Sequence, residues 1–197
     1  MSVTPSQPRG PRRLALALTL AVTATLAVVA VPATAAATVP SCSTVYWGSL
    51  AKVATGSTTQ PIVGVRTGQH PCFDRLVLDL AGTGTGKLGF DVRYVDTVRR
   101  EGSGSVVALR GAADIRIVVH APAYDVRTGT PTLRMVNRNE LADVTGYSAL
   151  RQVAFAGSFE GQTTIGLGVR ARLPMRAFVL PGPGAGHRLV IDIYHHW

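Results

Sequence analysis

Long amphipathic helices and aromatic residues are both scarce in this sequence. No stretch keeps a helical spacing of apolar residues for more than two turns, which argues against a helical fold. The best helix candidates are WGSLAK, 47–52, and NRNELADVT, 137–145, and the second also fits a polar loop. Aromatic residues make up only 6% of the chain. Because a core takes several of them, no aromatic platform for a ligand can be assigned from the sequence.

Acidic residues and lysines are also few. The chain has 11 Asp and Glu against 20 Lys and Arg, and Lys52 and Lys87 are its only lysines. The basic residues are spread along the predicted strands instead of forming a patch, which together with the predicted export argues against a nucleic-acid partner. An anionic cell-wall polymer or a membrane surface is compatible with this charge, although the sequence does not require either.

The first 37 residues predict a secretory signal peptide. Three arginines precede the uncharged apolar run 14–31, and the small-residue stretch VPATAAA follows it. A membrane-spanning anchor is the alternative, but the proline and the alanine cluster that end the run favour cleavage. We therefore expect 1–37 to be removed and a secreted chain that begins near Thr38 without a membrane span.

Only two cysteines are present, Cys42 and Cys72. In an exported protein they predict one disulfide, which would tie the N-terminal extension 38–61 to the first strand of the domain. The alternative is a lipidated Cys42. Pro40 fits a lipoprotein cleavage box poorly, and lipidation would leave Cys72 as a free thiol.

From Ile62 onward the sequence has the pattern of β-strands. Apolar residues alternate, or run continuously, in short pieces bounded by Gly, Pro or charged residues. The predicted strands are 62–67, 73–81, 89–96, 105–110, 113–121, 150–157, 162–170, 175–180 and 187–195. Nine such strands predict an all-β domain over 62–197, an antiparallel β-sandwich of two related sheets with at most one or two short helices.

Two of these strands repeat one charged pattern. FDRLVLDL carries Arg75 and Asp79, and HRLVIDIY carries Arg188 and Asp192. Because side chains alternate across a strand, the Leu and Ile residues between them face the core while the charged residues face the other side. In antiparallel neighbours, an Arg of one strand can lie opposite an Asp of the other and help set the register. The repeat also suggests two related half-domains, and these four residues are a candidate ligand-binding or register face.

A family resemblance is carried by six segments in this order: FDRLVLDL, YVDTVRREGSG, VVALRGAADIRIVV, LRQVAFAGSFEGQTTIGLGV, MRAFVL and HRLVIDI. Their order is similar to the AMIN-like domain of secreted and lipid-anchored proteins from high-GC Gram-positive bacteria, and the resemblance covers 42–195. It implies a compact β-sandwich that acts as a binding or targeting module for peptidoglycan or a related envelope polymer.

The histidines and acidic residues of the sequence do not form a pattern that supports catalysis or metal binding. His195 and His196 are adjacent, so on a strand they point to opposite faces and cannot hold one metal together. The acids Asp79 and Asp192 each come with an Arg, which suits a register pair better than an acid catalyst. Glu160, in the turn FEG, is interpreted as a carboxylate that caps backbone amides, and it stays a candidate ligand residue. We expect no enzymatic activity, no metal and no cofactor.

The longest irregular region, 121–149, is the candidate docking loop, because binding residues concentrate on loops held by a rigid scaffold. Its candidate contacts are Tyr124, Arg127, Arg134, Arg138 and Tyr147. The alternative is a solvated crossover between the half-domains. The sequence therefore predicts a secreted, monomeric, non-catalytic module that binds a cell-wall polymer or an envelope protein. The alternative function is a secreted protein–protein interaction domain that does not bind glycan.

Overall fold

The described part of the chain is built of short β-strands. The structure, a computed structural model, describes Cys42 and residues 46–197, which belong to one compact unit. The predicted signal peptide lies outside these residues. The strands are β1 (Lys52–Ala54), β2 (Ile62–Gln69), β3 (Phe73–Leu80), β4 (Phe90–Val95), β5 (Val98–Arg99), β6 (Val106–Val107), β7 (Ala113–Val119), β8 (Leu150–Phe159), β9 (Gln162–Val169), β10 (Met175–Pro181) and β11 (His187–Tyr194).

Two large antiparallel sheets and one small one contain these strands. The five-stranded sheet has the order β1-β4-β7-β9-β8, the four-stranded sheet has the order β10-β11-β3-β2, and β5 and β6 form a two-stranded ribbon. The two large sheets enclose one apolar core to which nearly every long strand contributes. This is the all-β antiparallel sandwich that the alternating pattern predicted.

The repeated strands β3 and β11 are neighbours at the centre of the four-stranded sheet. Their inward residues Leu76, Leu78, Leu189 and Ile191 are each 0% exposed. The predicted core face is therefore confirmed. The opposite face is less open to water than the sequence predicted, because Asp192 is also buried there.

The β5–β6 ribbon forms a third layer on the outer face of the five-stranded sheet. Its residues Val98 and Val107 are buried against Ala154 and Ala156 of β8. Glycine in β9 allows this close approach, since a Cβ on Gly166 would lie 3.3 Å from Val98 Cγ1. The predicted strand 105–110 is reduced to the two residues of β6, and β1 and β5 were not predicted.

Neither helix candidate is helical in the structure, and 137–145 forms the polar loop that was its alternative. In 137–145 the side chains of Asn137 and Asp143 each accept a hydrogen bond from the backbone two residues later, at 2.9 Å in both cases. Such side-chain turns compete with helical hydrogen bonding. In WGSLAK, Gly48 has a φ of 61°, and the segment ends in β1.

The N-terminal extension is held by the predicted disulfide and by backbone contacts. Cys42 and Cys72 are bonded across a separation of 30 residues, which confirms the predicted pairing. Gly48 accepts a hydrogen bond from Met175 N–H at 2.9 Å, and β1 pairs with β4. The extension therefore contacts both large sheets.

Candidate functional site

Arg75 and Asp192 form the central ion pair of the four-stranded sheet. They are directly opposite each other in the β3–β11 register. Arg75 Nε and Nη2 donate to the two carboxylate oxygens of Asp192 at 2.7 and 2.9 Å. Arg176 of β10 adds a third hydrogen bond, from Nε at 2.8 Å. The hydrogen bond to Asp192 raises the pKa of Arg75. Asp192 is fully buried. The guanidinium groups of Arg75 and Arg176 balance its negative charge.

Arg188 and Asp79 also lie opposite each other, but they do not form the equivalent ion pair. Asp79 instead accepts two hydrogen bonds from Arg66 of β2, at 2.6 and 2.7 Å. Arg188 donates to the carbonyl of Pro181 at 2.9 Å. Gly64 is the β2 residue opposite Asp79, and a Cβ there would lie 3.3 Å from the Asp79 carboxylate. A glycine at this position therefore leaves room for the Arg66–Asp79 pair.

Aromatic rings cover the guanidinium groups of this face. Arg176 lies 4.2 Å from the centroid of the Trp47 ring and 5.2 Å from that of Phe178, and Arg75 lies 5.2 Å from that of Phe73. Arg176 and Trp47 were not predicted, because they meet only when the extension folds over β10. Both acids and all four arginines of this face are thus used in contacts within the protein, which favours a role in register and in holding the extension.

Asp74 and His195 form a second buried polar contact that the sequence reasoning missed. Asp74 Oδ1 lies 3.0 Å from His195 Nε2, and Oδ2 accepts the backbone N–H groups of Ala149 and Leu150 at 2.5 and 3.1 Å. Asp74 is 0% exposed. Asp74 is two residues from Leu76 on β3, so both side chains point to the core face. An acidic residue at a core-facing position of FDRLVLDL was the sequence feature that could have revealed this buried contact.

The candidate docking loop contributes two of its predicted residues to a groove beside β8. This loop groove has a volume of about 490 Å³ and is lined mainly by Tyr124, Pro131, Met135, Arg138, Phe155 and Phe159, with Glu101 and Ser158 as further polar groups. The other three predicted residues lie elsewhere. Arg127 is 3.8 Å from Asp125, Arg134 is exposed, and Tyr147 Oη donates a hydrogen bond to Thr67 Oγ1 of β2 at 3.0 Å.

Glu160 lies at the turn between β8 and β9, next to the loop groove. It has a φ of 49°, in the left-handed region, and the preceding residue Phe159 lines the groove. The following residue, Gly161, donates its N–H to Tyr124 Oη at 3.0 Å. The expected capping of backbone amides by Glu160 is not seen, since its carboxylate has no hydrogen bond within the described residues. The FEG turn and the docking loop are nevertheless brought together.

Arg138 is the cation of the loop groove. Its guanidinium carbon lies 5.7 Å from the centroid of the Phe155 ring. No carboxylate or hydrogen-bond acceptor of the described chain contacts this guanidinium. Phe159 is 63% exposed. The groove therefore exposes to solvent aromatic rings and one guanidinium group that has no hydrogen-bond partner among the described residues.

Neither a metal centre nor a membrane-spanning helix is found in the part of the chain that the structure describes. No three His, Cys, Asp or Glu residues come together there as metal ligands. Within the same residues, none of the elements is a helix long and apolar enough to cross a bilayer.

Fold and site together define a disulfide-bonded β-sandwich with a surface groove. The family model of the AMIN-like domain matches residues 60–195, and the chain belongs to this family. Neither the curated proteins nor the solved structures compared with the chain match it. Membership suggests an envelope-associated, non-catalytic module, and with the disulfide it suggests an extracellular or envelope location.

Proposed function

We propose that this protein is a secreted, non-catalytic module that binds peptidoglycan or another polymer of the cell envelope through the loop groove. The observation that carries this proposal is the presence of solvent-facing aromatic rings and the unpaired Arg138 guanidinium in one groove. The groove volume, about 490 Å³, lies within the usual range of small-ligand sites. Without the three arginines of the predicted signal peptide, 17 basic and 11 acidic residues remain, and this net charge of +6 favours an anionic polymer.

The chemistry of the groove suits a sugar polymer with acidic substituents. Tyr124 and Phe159 offer flat apolar faces that can cover the C–H face of a sugar ring. Arg138 can donate two parallel hydrogen bonds to a carboxylate. A bound carboxylate would therefore accept hydrogen bonds from guanidinium N–H groups of Arg138 that have no acceptor among the described residues.

The groove is also held in place before any ligand arrives. Ala123 N–H donates to Ser158 Oγ at 2.9 Å, and Phe155 N–H donates to the Arg138 carbonyl at 2.7 Å. These bonds fix the docking loop to β8 at both sides of the groove. Binding then requires little ordering of the loop, which favours affinity.

A protein partner is the second candidate function. Met135, Val136 and Phe159 are exposed apolar residues on or beside the groove. Exposed apolar patches are typical of protein–protein interfaces. This observation favours an envelope protein as the alternative ligand.

Sedimentation with insoluble cell wall separates the two functions. Purified protein is mixed with cell wall before and after enzymatic removal of the glycan, and the fraction in the pellet is measured. We expect retention that is lost when the glycan is removed. Phe159→Ala and Arg138→Gln should each weaken retention at least fivefold, whereas Arg134→Gln, which removes an exposed arginine outside the groove, should not.

Retention that survives glycan removal would favour the protein partner. Wild-type binding by both groove variants, with native thermal unfolding, would show that the loop groove is not the site.

A further inference from the structure

We propose that a second cavity, at the opposite edge of the five-stranded sheet, binds a single linear acyl chain with an anionic head group. The loop groove lies at the β8 edge of that sheet, and this lateral cavity lies at the β1 edge. It is formed between the two large sheets, by residues of β1, β4 and β10 together with Leu88, Lys87 and His187.

The cavity exists because one edge of the sandwich is incompletely covered. β1 is only three residues long and pairs with β4 only from Phe90 to Val92. β10 is the facing edge strand of the other sheet. The gap between these edges opens to solvent, with a volume of about 420 Å³.

The lining of the lateral cavity is apolar and continuous with the core. Its core-facing apolar residues are Ala54, Leu88, Phe90 and Val179, and it is also bordered by Phe178, whose ring lies 5.2 Å from Arg176 on the outer face. Leu88 and Phe90 are themselves core residues, only 3% and 5% exposed, and Ala54 and Val179 pack against the same core. An alkyl chain in the cavity would therefore extend the hydrophobic core outward. A sugar or a nucleotide would find few hydrogen-bond partners on these walls.

Lys87 and His187 supply the polar part of the lining. No acidic side chain of the described residues forms an ion pair with Lys87. His187 Nδ1 lies 2.7 Å from Gln60 Oε1, and Gln60 Nε2 donates to the Ala185 carbonyl at 3.1 Å. Since Gln60 presents its carbonyl oxygen, His187 Nδ1 is the donor. Gln60 thus fixes the ring while Lys87 stays available for a ligand anion.

An apolar cavity that is also lined by Lys87, whose ammonium has no ion-pair partner among the described residues, matches an amphipathic anion. The alkyl chain contacts the apolar wall, and the carboxylate or phosphate contacts Lys87. A free fatty acid and the acyl chain of an anionic phospholipid share this chemistry.

The first test is a chain-length series. Binding of hexanoate, octanoate, decanoate and dodecanoate to the purified protein is measured by calorimetry below the concentrations at which they aggregate. We expect affinity to rise roughly fourfold with each added methylene until the chain outgrows the cavity. Decanol should bind more weakly than decanoate. Affinity that does not change with chain length would overturn the proposal.

Variants locate the site. Val179→Trp and Ala54→Phe place bulk in the cavity and should abolish decanoate binding. Lys87→Gln should weaken decanoate binding about tenfold and leave decanol binding unchanged, while the matched control Lys52→Gln, outside the cavity, should bind decanoate normally. Thermal unfolding shows whether each variant is folded. Two cavity-filling variants are used so that one remains informative if the other does not fold. Normal binding by a folded cavity-filling variant would contradict the assignment.

Vesicles distinguish the two sources of the chain. Sedimentation with phosphatidylglycerol vesicles but not with phosphatidylcholine vesicles, lost in Ala54→Phe, would identify a membrane lipid as the ligand. Decanoate binding without sedimentation would identify a free fatty acid. Failure to bind either decanoate or anionic vesicles would overturn the proposal and leave the cell-wall function of the loop groove untouched.

Discussion

Arg75 and Asp192 face each other across the two central strands of the four-stranded sheet, and both guanidinium-to-carboxylate hydrogen bonds are shorter than 3 Å, at 2.7 and 2.9 Å. The exposed pair Arg66 and Asp79 has nearly the same geometry, at 2.6 and 2.7 Å. The two pairs differ in burial, since Asp192 is 0% exposed and the Asp79 side chain is 20% exposed.

Because Asp192 is buried and Asp79 is partly exposed, the same Asp-to-Asn substitution should lower the free energy of unfolding by different amounts at the two positions. Asp192→Asn leaves the hydrogen bonds of Arg75 and Arg176 without a carboxylate acceptor, and we expect a loss of about 2–3 kcal/mol in the free energy of unfolding. Asp79→Asn removes a solvated pair and should lose less than about 1 kcal/mol. Urea unfolding of both variants measures the difference, and equal losses would contradict this explanation.

Removing the disulfide should destabilise the domain. The double variant Cys42→Ser/Cys72→Ser opens a loop of 30 residues, so we expect a loss of about 3–4 kcal/mol from the greater entropy of the unfolded chain. Urea unfolding of the variant and of reduced wild-type protein should give the same midpoint. A variant as stable as the oxidised protein would show that backbone contacts alone hold the extension.

Asp74 should be more sensitive to truncation than to amide substitution. Asp74→Ala leaves the Ala149 and Leu150 amides without an acceptor in a buried site, and we expect a loss of about 3 kcal/mol. Asp74→Asn keeps an acceptor oxygen and should lose about 1 kcal/mol. Chemical denaturation compares the two, and similar losses would show that the negative charge is what matters.

Asp114 and Asp143 should give opposite pH dependences. Desolvation raises the pKa of Asp114 above its ordinary 3.8, so its protonated form stabilises the fold at low pH and this contribution is lost as the pH rises. Hydrogen bonds from Thr145 lower the pKa of Asp143 below 3.8, so its carboxylate stabilises the fold above that pH and this contribution is lost on acidification.

Thermal unfolding between pH 3 and 7 tests these signs. Asp114→Asn should be slightly more stable than wild type at neutral pH, by less than about 0.5 kcal/mol, and the gain should vanish in acid. Asp143→Asn should be less stable at neutral pH, with a loss that also shrinks in acid. The same sign for both variants at neutral pH would contradict the prediction.

The long strands could be predicted because the alternation of apolar and polar residues that marks a strand is visible within a few consecutive residues. All but one of the nine predicted strands end within two residues of the observed ones, and the inward direction of Leu76 and Ile191 follows from parity alone. β1 and β5 have only three and two residues, too few to show a period. The strand pattern also could not reveal that both copies of the repeat lie in one sheet.

The candidate sites were less predictable because they depend on tertiary contacts. The docking-loop residues are separated in the structure. Tyr124 and Arg138 line the loop groove, whereas Tyr147 turns toward β2, and nothing in their spacing distinguishes them. Trp47 joins Arg176 only through the path of the extension. Lys87 and His187 are a hundred residues apart in sequence and share a cavity only because the two sheets face each other.

The disulfide and the last strand meet at one end of the β3–β11 ladder. Cys72 carries the bond to Cys42, and its carbonyl accepts the N–H of His195 at 3.0 Å. A mechanical load applied between Cys42 and Trp197 would enter the sheet at this corner and pull perpendicular to the strands. The hydrogen bonds would then break one pair after another instead of resisting together in shear, so we expect the domain to yield at low force when it is stretched from its two ends.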